Sequence, residues 1–354
     1  MFRYRLVLGR AIGLKTKYNR YSSEITNGYV DMGQLIDGHW VADVSALPQK
    51  QGRFVREPSQ FRNWVRGDGS SEFPSEAGRY HLYVSLQCPW AWRAIVYRSI
   101  KKLTAVISMS VAIPNGREEG WVFGDWVDGS TKDDAEGFSH LRQAYTSAKP
   151  DYTGVVSVPV LWDRKRRTIV SNESGEIIRM LNSEFNRFTS AQEDYYPLAL
   201  RPQIDEANDR IYRGLNNAVY RAGAAGSQEA YNEAYSDVFS TLDWAEESLS
   251  RNRYLLGAEL TESDWRLAAS LFRFDLVYYP LFRCNQRTIA SYPCLSNYLR
   301  DIYQTPGVAG TVHARQIVRG YYSQRWNSAG IIPLGPEGFE AALAAPHDRS
   351  TTFS

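Results

Sequence analysis

The chain has 354 residues, 43% hydrophobic and 13% aromatic, with a formal net charge of +2, enough to bury the cores of two ordinary domains. Its three cysteines are too few and odd in number for a disulfide framework and suit a reducing compartment. No run approaches the roughly 18 consecutive apolar residues that a membrane-crossing helix needs, and the near-balanced charge offers no footprint for nucleic acid.

Residues 1–23 hold six basic residues (Arg3, Arg5, Arg10, Lys15, Lys17, Arg20) and no acidic one. With Phe2, Leu6, Val7, Leu8 and Ile12 this stretch reads equally as an organellar transit segment or as a basic surface arm, so the expected compartment is cytoplasmic or mitochondrial/organellar. Residues 24–77, rich in Gly, Asp, Ser and Pro with scattered aromatics (Trp40, Phe54, Phe61, Trp64), read as an extended leader that packs onto a domain.

The compact part opens at 78–195. Apolar residues cluster over 80–86 as in a buried strand, and the helical pattern then runs from Pro89 to about Lys102, with proline at a first helical position that needs no N–H. A strand is predicted at Val106–Val111, followed by a Gly/Asp-rich loop from Pro114 to Phe138 carrying Trp121, Phe123 and Trp126. Val155–Asp163 and Thr168–Ser171 read as a hairpin, with Val158–Pro159 a candidate cis peptide at a strand start, edge or bulge. Ser171-Asn172-Glu173-Ser174 then opens a helix through Ile177, Ile178, Met180 and Leu181. The order β-α-β, loop, β-β-α predicts an α/β thioredoxin-like domain.

Beyond Tyr195-Tyr196-Pro197 the spacing is helical throughout, so 196–325 is predicted to be all-α. Thr261-Glu262-Ser263-Asp264 has the form of a capping box opening a helix from Trp265 to Val277. Helices are also expected at Leu295–Tyr303 and around Val308–Tyr322, and residues 326–354 read as a tail without strong helical pattern.

Cys88 carries the chemistry. A sulfur between a strand and a helix N-terminus faces unpaired backbone N–H groups, which can lower a thiol pKa from about 8.5 into the range of roughly 3.5 to 7.5. Ala91 stands where a dithiol motif has its second cysteine, so a mixed disulfide at Cys88 needs a diffusible thiol, with glutathione the obvious candidate, to release it. Glu173 and Ser174, at the next helix start, suit the ammonium and carboxylate of a γ-glutamyl group, though such residues also simply cap helices. Val158, next to its proline, has backbone groups placed to pair with a peptide ligand. Cys284 and Cys294 read as core or pocket-wall residues, and no metal-ligand spacing is present.

The motifs Ser157–Asp163, Ser171–Ser174, Glu176–Asn182, Gly120–Phe123, Asn216–Tyr220, Arg273–Asp275, Cys284-Asn285, Tyr321-Tyr322 and Ile332–Pro336 resemble the glutathionyl-hydroquinone reductases, the Xi class of glutathione transferases, over about residues 30–340. The resemblance implies an all-α glutathione-transferase C-terminal domain behind the thioredoxin-like one, and a homodimer joined through it. It implies glutathione as co-substrate, no metal, Cys88 as nucleophile, glutathione contacts from Trp121, Val158, Glu173 and Ser174, and an aromatic pocket from Tyr220, Tyr278 and Tyr321. The implied reaction reduces glutathionyl-hydroquinones through a Cys88–glutathione disulfide. An Omega-like thioltransferase or dehydroascorbate reductase and a non-catalytic ligand-binding module are the alternatives. Trp92, Gly175, Val155, Pro280 and Leu281 depart from the family pattern; Val155 replaces an arginine expected to touch glutathione, and Pro280 adjoins the aromatic pocket.

Overall fold

The computed structural model describes residues 33–42, 49–125, 128–323, 327 and 329–353. The basic segment 1–23 and Trp126 lie outside these residues.

The sheet that positions the site has four strands in the order Thr168–Ser171, Val160–Asp163, Tyr80–Val84, Ser108–Val111. Tyr80–Val84 pairs parallel with Ser108–Val111 and antiparallel with Val160–Asp163. All its residues are buried, as expected of a central strand covered on both faces. Helix Pro89–Ile100 returns from this strand to the parallel one, a β-α-β unit, and packs beside helix Ser174–Ser183. This is a thioredoxin-like lobe. Val158–Pro159 is cis, and the strand starts only at Val160 rather than at Val155. Upstream of the proline the Tyr145 hydroxyl takes the place of a neighbouring strand, donating to the Ser157 carbonyl and accepting from its N–H.

The leader is tied to the sheet. Arg62 forms a bridge with Ser171, and the Asn63 N–H donates to the Val170 carbonyl at 2.9 Å, so an otherwise open edge strand is covered. The long loop after Ser108–Val111 holds a small hairpin of its own, Ile113–Pro114 with Trp121–Val122.

The second lobe is helical: Arg201–Ile211, Ala218–Gly223, Gln228–Arg251, Glu262–Arg273, Pro293–Gln304 and Ala314–Tyr322. The Asp264 carboxylate accepts from the Thr261 N–H and hydroxyl, at 2.8 and 2.9 Å, the Leu255 N–H at 2.9 Å and the Tyr298 hydroxyl at 3.0 Å. A shorter Asp thus does the work of the usual Glu by being buried among its donors. The α-helix ends at Arg273 rather than Val277 and continues as a π-helical turn, Phe274–Tyr278; a second such turn, Tyr212–Asn216, follows Ile211. Gly214 lies in that turn because helix Gln228–Arg251 passes so closely that a Cβ would meet Thr241 Oγ1 at 2.0 Å. The tail is more ordered than its sequence suggests. It contains helices Phe339–Ala344 and Arg349–Thr352, anchored by buried Arg349, which donates to the carbonyls of Leu249 and Arg253. A cation there satisfies the last turn of a long helix, a role no periodicity reveals.

His81, on the central strand, has no solvent exposure and shares a 2.7 Å hydrogen bond with Ser108 through Nδ1. Burial, reinforced by Arg164 and Arg98, pushes its pKa down to about 3. The unfolded chain takes up this proton near pH 6.5 and the native state does not, so stability is lost as pH falls below that value. From pH 7.5 to 5 this amounts to about 2 kcal/mol. Urea denaturation at the two pH values should show that loss in the native protein and a much smaller one in His81→Leu.

Candidate active site

Cys88 is the N-cap of helix Pro89–Ile100, extended at φ −74° and ψ 123°, and keeps partial exposure. Its carbonyl accepts from Trp92 N–H at 2.9 Å, and its sulfur lies 3.7 Å from the Val158 carbonyl oxygen. The backbone N–H groups of Ala91 and Trp90 reach the sulfur and favour its anion, as do the charges of Arg273 and Arg56. Burial opposes them and is the largest effect, so the thiol is raised in the ligand-free state. This corrects the expectation of a thiol lowered by the helix terminus: the N–H groups are where that reading put them, but burial outweighs them.

Arg273 comes from that lobe. It has no solvent exposure, and its guanidinium donates to the carbonyls of Gln87 (2.7 Å), Leu86 (3.2 Å), Cys88 (3.3 Å) and Ala269 (2.8 Å). Helix Ala314–Tyr322 presses on the same loop at Gly320, where a Cβ would sit 1.6 Å from Gln87 Oε1.

On the sheet side, the carbonyl of Val158 faces the sulfur and its N–H has no partner among the described residues. Trp121 donates its indole N–H to the Val156 carbonyl at 3.1 Å. It thus braces the segment leading to Val158 and leaves only its ring for a ligand. Glu173 caps its helix, accepting from Gly175 N–H at 3.1 Å, and holds the Ser59 hydroxyl of the leader at 3.0 Å. Ser174 is buried, and Arg93 reaches its hydroxyl at 3.4 Å. Arg93, also buried, donates to Asn216 at 2.6 Å and is pushed down to about 9 by burial. Ser59 and Arg93 were not anticipated. A single arginine on the apolar face five residues after Cys88 was the legible signal for Arg93; nothing marks Ser59.

On the helical side the three tyrosines meet. Tyr321 shares hydrogen bonds with Tyr220 and, at 3.3 Å, with Tyr278. The Tyr278 and Tyr321 rings cross edge-on at 6.0 Å, and Phe282 stacks on Tyr278 at 5.4 Å. Burial holds all three phenols above their ordinary value, and each interacts electrostatically with Cys88. They are therefore neutral O–H groups facing the thiol. Of the departures, Trp92 is buried between the lobes, its indole donating to Thr311 at 3.0 Å. Pro280 is exposed and Leu281 half-buried. Gly175 makes room for Arg266, whose Nη2 would lie 2.6 Å from a Cβ. Cys284 is core, and Cys294 opens a helix with its N–H on Glu246. Among the described residues no cluster of metal-ligating side chains occurs and no helix is long and apolar enough to cross a membrane.

A lone cysteine at the head of the first helix of a thioredoxin-like lobe, enclosed by a helical lobe, defines a glutathione transferase of the cysteine type. The family models for the glutathione S-transferase N-terminal and C-terminal domains match residues 87–184 and 228–301. The glutathionyl-hydroquinone reductase YqjG of Escherichia coli K12 is 47% identical over 330 residues, covering 91% of this chain and 100% of that protein. Its glutathione-bound structure superposes with a TM-score of 0.82 at 45% identity and the same coverage. The glutathionyl-hydroquinone reductase PcpF of Sphingobium chlorophenolicum is 45% identical, covering 86% of this chain and 96% of that one. The Xi-class transferase of Natrialba magadii superposes with a TM-score of 0.86 at 43% identity, covering 92% of this chain and 99% of its own. The chain belongs to the glutathionyl-hydroquinone reductases, the Xi class of glutathione transferases.

The balance at Cys88 can be read directly. The rate of its alkylation by iodoacetamide in the ligand-free protein should rise with pH to a midpoint above that of an ordinary thiol, and Arg273→Gln should move the midpoint higher still. A midpoint below neutrality would mean that the helix terminus outweighs burial.

Proposed function

We propose that this enzyme reduces glutathionyl-hydroquinones to hydroquinones with glutathione. The observation that carries this reading is the neutral tyrosine cluster facing Cys88, a donor-lined aromatic surface at the reacting sulfur. The Cys88 thiolate, stabilised by the Trp90 and Ala91 N–H groups and by Arg273, attacks the glutathione sulfur of the conjugate. The sulfur–ring bond breaks, its electron pair goes to the ring carbon, and that carbon takes a proton. Two electrons leave sulfur and a Cys88–glutathione disulfide remains. The phenols hydrogen-bond the ring oxygens as charge builds on the leaving aromatic. Val158, Glu173 and Ser174 are the residues that would hold the glutathione backbone and γ-glutamyl end, with the Trp121 ring beside them. A second glutathione, as thiolate, then displaces Cys88 and leaves as oxidised glutathione.

We also propose that the protein works as a homodimer joined through the helical lobe, on the resemblance to the family, and in a reducing cytoplasmic or organellar compartment, on the sparse thiols and acid-free start. Light scattering in solution tests the first, and import of residues 1–30 fused to a reporter tests the organellar reading.

Purified protein given a glutathionyl-hydroquinone and glutathione should release hydroquinone and oxidised glutathione in equal amounts. Cys88→Ala should abolish turnover, and Tyr321→Phe, which breaks the cluster at its centre, should lower kcat about 10- to 1,000-fold. Turnover of dehydroascorbate but of no hydroquinone conjugate would assign the protein to the Omega-like alternative.

A further inference from the structure

The reaction proposed above uses one space twice. In its first half, Cys88 attacks the glutathione sulfur along the line of the sulfur–ring bond, so the hydroquinone departs on the side away from Cys88, toward the tyrosines. In its second half, the incoming thiolate must attack that same sulfur along the line of the Cys88–glutathione bond, since thiol–disulfide exchange aligns the three sulfurs. The second glutathione therefore enters the space the hydroquinone has left. Its chemistry is quite different: a peptide with two carboxylates instead of an aromatic ring. The phenols that line the space are neutral and offer a carboxylate no opposite charge.

One cation stands at its rim. Arg56, exposed and contributed by the leader, has its guanidinium 5.2 Å from the centre of the Tyr220 ring, 5.0 Å from Trp90 and 5.3 Å from Phe54. Its Nε donates to Asn217 Oδ1 at 3.1 Å, and its two Nη groups have no partner among the described residues. Nearby arginines of the leader are engaged otherwise: Arg53 pairs with Glu229 and Glu233, and Arg62 with Glu176. Three rings and one amide thus hold a guanidinium in place while leaving free the edge that binds carboxylates in a fork, so little side-chain freedom is lost on binding.

We propose that Arg56 binds a carboxylate of the second, attacking glutathione, seated in the aromatic pocket after the hydroquinone has gone. The inference rests on the reaction assigned above. The step it assists is balanced: the glutathione thiol gives its proton to water, its sulfur bonds the glutathione sulfur of the mixed disulfide, and the S–S bond to Cys88 breaks to return the Cys88 thiolate.

The test separates the two halves. The Cys88 mixed disulfide is formed in the wild type, Arg56→Ala and Arg56→Lys proteins, by a single turnover of a glutathionyl-hydroquinone or by oxidised glutathione, and each adduct is mixed with glutathione or with 2-mercaptoethanol while its loss is followed by intact mass. In Arg56→Ala the rate constant with glutathione should fall about 10- to 100-fold further than that with 2-mercaptoethanol, a typical loss for one charge-assisted hydrogen bond, the 2-mercaptoethanol rate reporting the lost charge beside the leaving Cys88. Arg56→Lys should recover part of the loss, and added KCl should slow the wild type but not Arg56→Ala. An unchanged rate with glutathione, an equal fall with both thiols, or an equal fall in single-turnover hydroquinone release would each overturn the assignment. Absence of hydroquinone release from the wild type would instead refute the underlying reaction, while the adduct formed with oxidised glutathione still reports on Arg56.

Discussion

Everything at the sulfur depends on a buried charge, Arg273, that is neutralised by carbonyl dipoles alone. Taking a guanidinium out of water costs several kcal/mol unless its donors are met, and among the described residues no carboxylate meets them. Three consecutive carbonyls of the cysteine loop and one from its own helix do so instead. The loop cannot move without orphaning that charge, so the helical lobe dictates where Cys88 sits. The same contact joins the lobes: the residue that fixes the nucleophile also fixes the distance between the nucleophile and the phenols.

This arrangement sets two electrostatic effects against each other. The lobe that supplies Arg273 also supplies Tyr278 and Tyr321, while burial of the thiol raises it. A helix terminus acts through partial charges at short range, and here Pro89 contributes no N–H to it. The protein thus holds a nucleophile whose anion is stabilised by groups already in position, in a site dry enough to strengthen their effect on a bound conjugate.

Local patterns showed most of the fold. The strand at Tyr80, the helix from Pro89, the hairpin that ends in Glu173-Ser174 and the change to helical spacing after Pro197 each follow from periodicity and caps that act within a few residues. The placing of Cys88, Glu173 and Ser174 at helix starts was readable for the same reason, since the residues that open an element are written next to it. What stayed hidden was set by distant contacts. The π-helical turn that carries Tyr278 looks like continuous helix in sequence, and the ordered tail depends on Arg349 finding carbonyls about a hundred residues away. The direction of the Cys88 shift depends on burial by the tertiary structure, which no local pattern states. Arg56 sits in a stretch with no periodicity at all.

The residues that break the family pattern are informative because of where they fall. Trp92 fills the seam between the lobes, edge-on to Phe272 at 5.3 Å and hydrogen-bonded to Thr311, and so adds a second fastening beside Arg273. Pro280 lies on the solvent side of its turn, and it is Phe282, two residues on, that backs the tyrosines. Neither change alters an atom facing the sulfur. Val155 differs, since it puts an aliphatic side chain beside the Val158 segment and leaves its carbonyl to the Tyr152 hydroxyl. With no cation at position 155, positive charge near Cys88 comes from Arg93 on the helix that Cys88 opens and, across the cleft, from Arg56 at the rim and Arg273 of the helical lobe. The charge that guides an anionic tripeptide therefore lies toward the pocket from which a second thiol must approach, where it can favour the step that a monothiol enzyme cannot complete by itself.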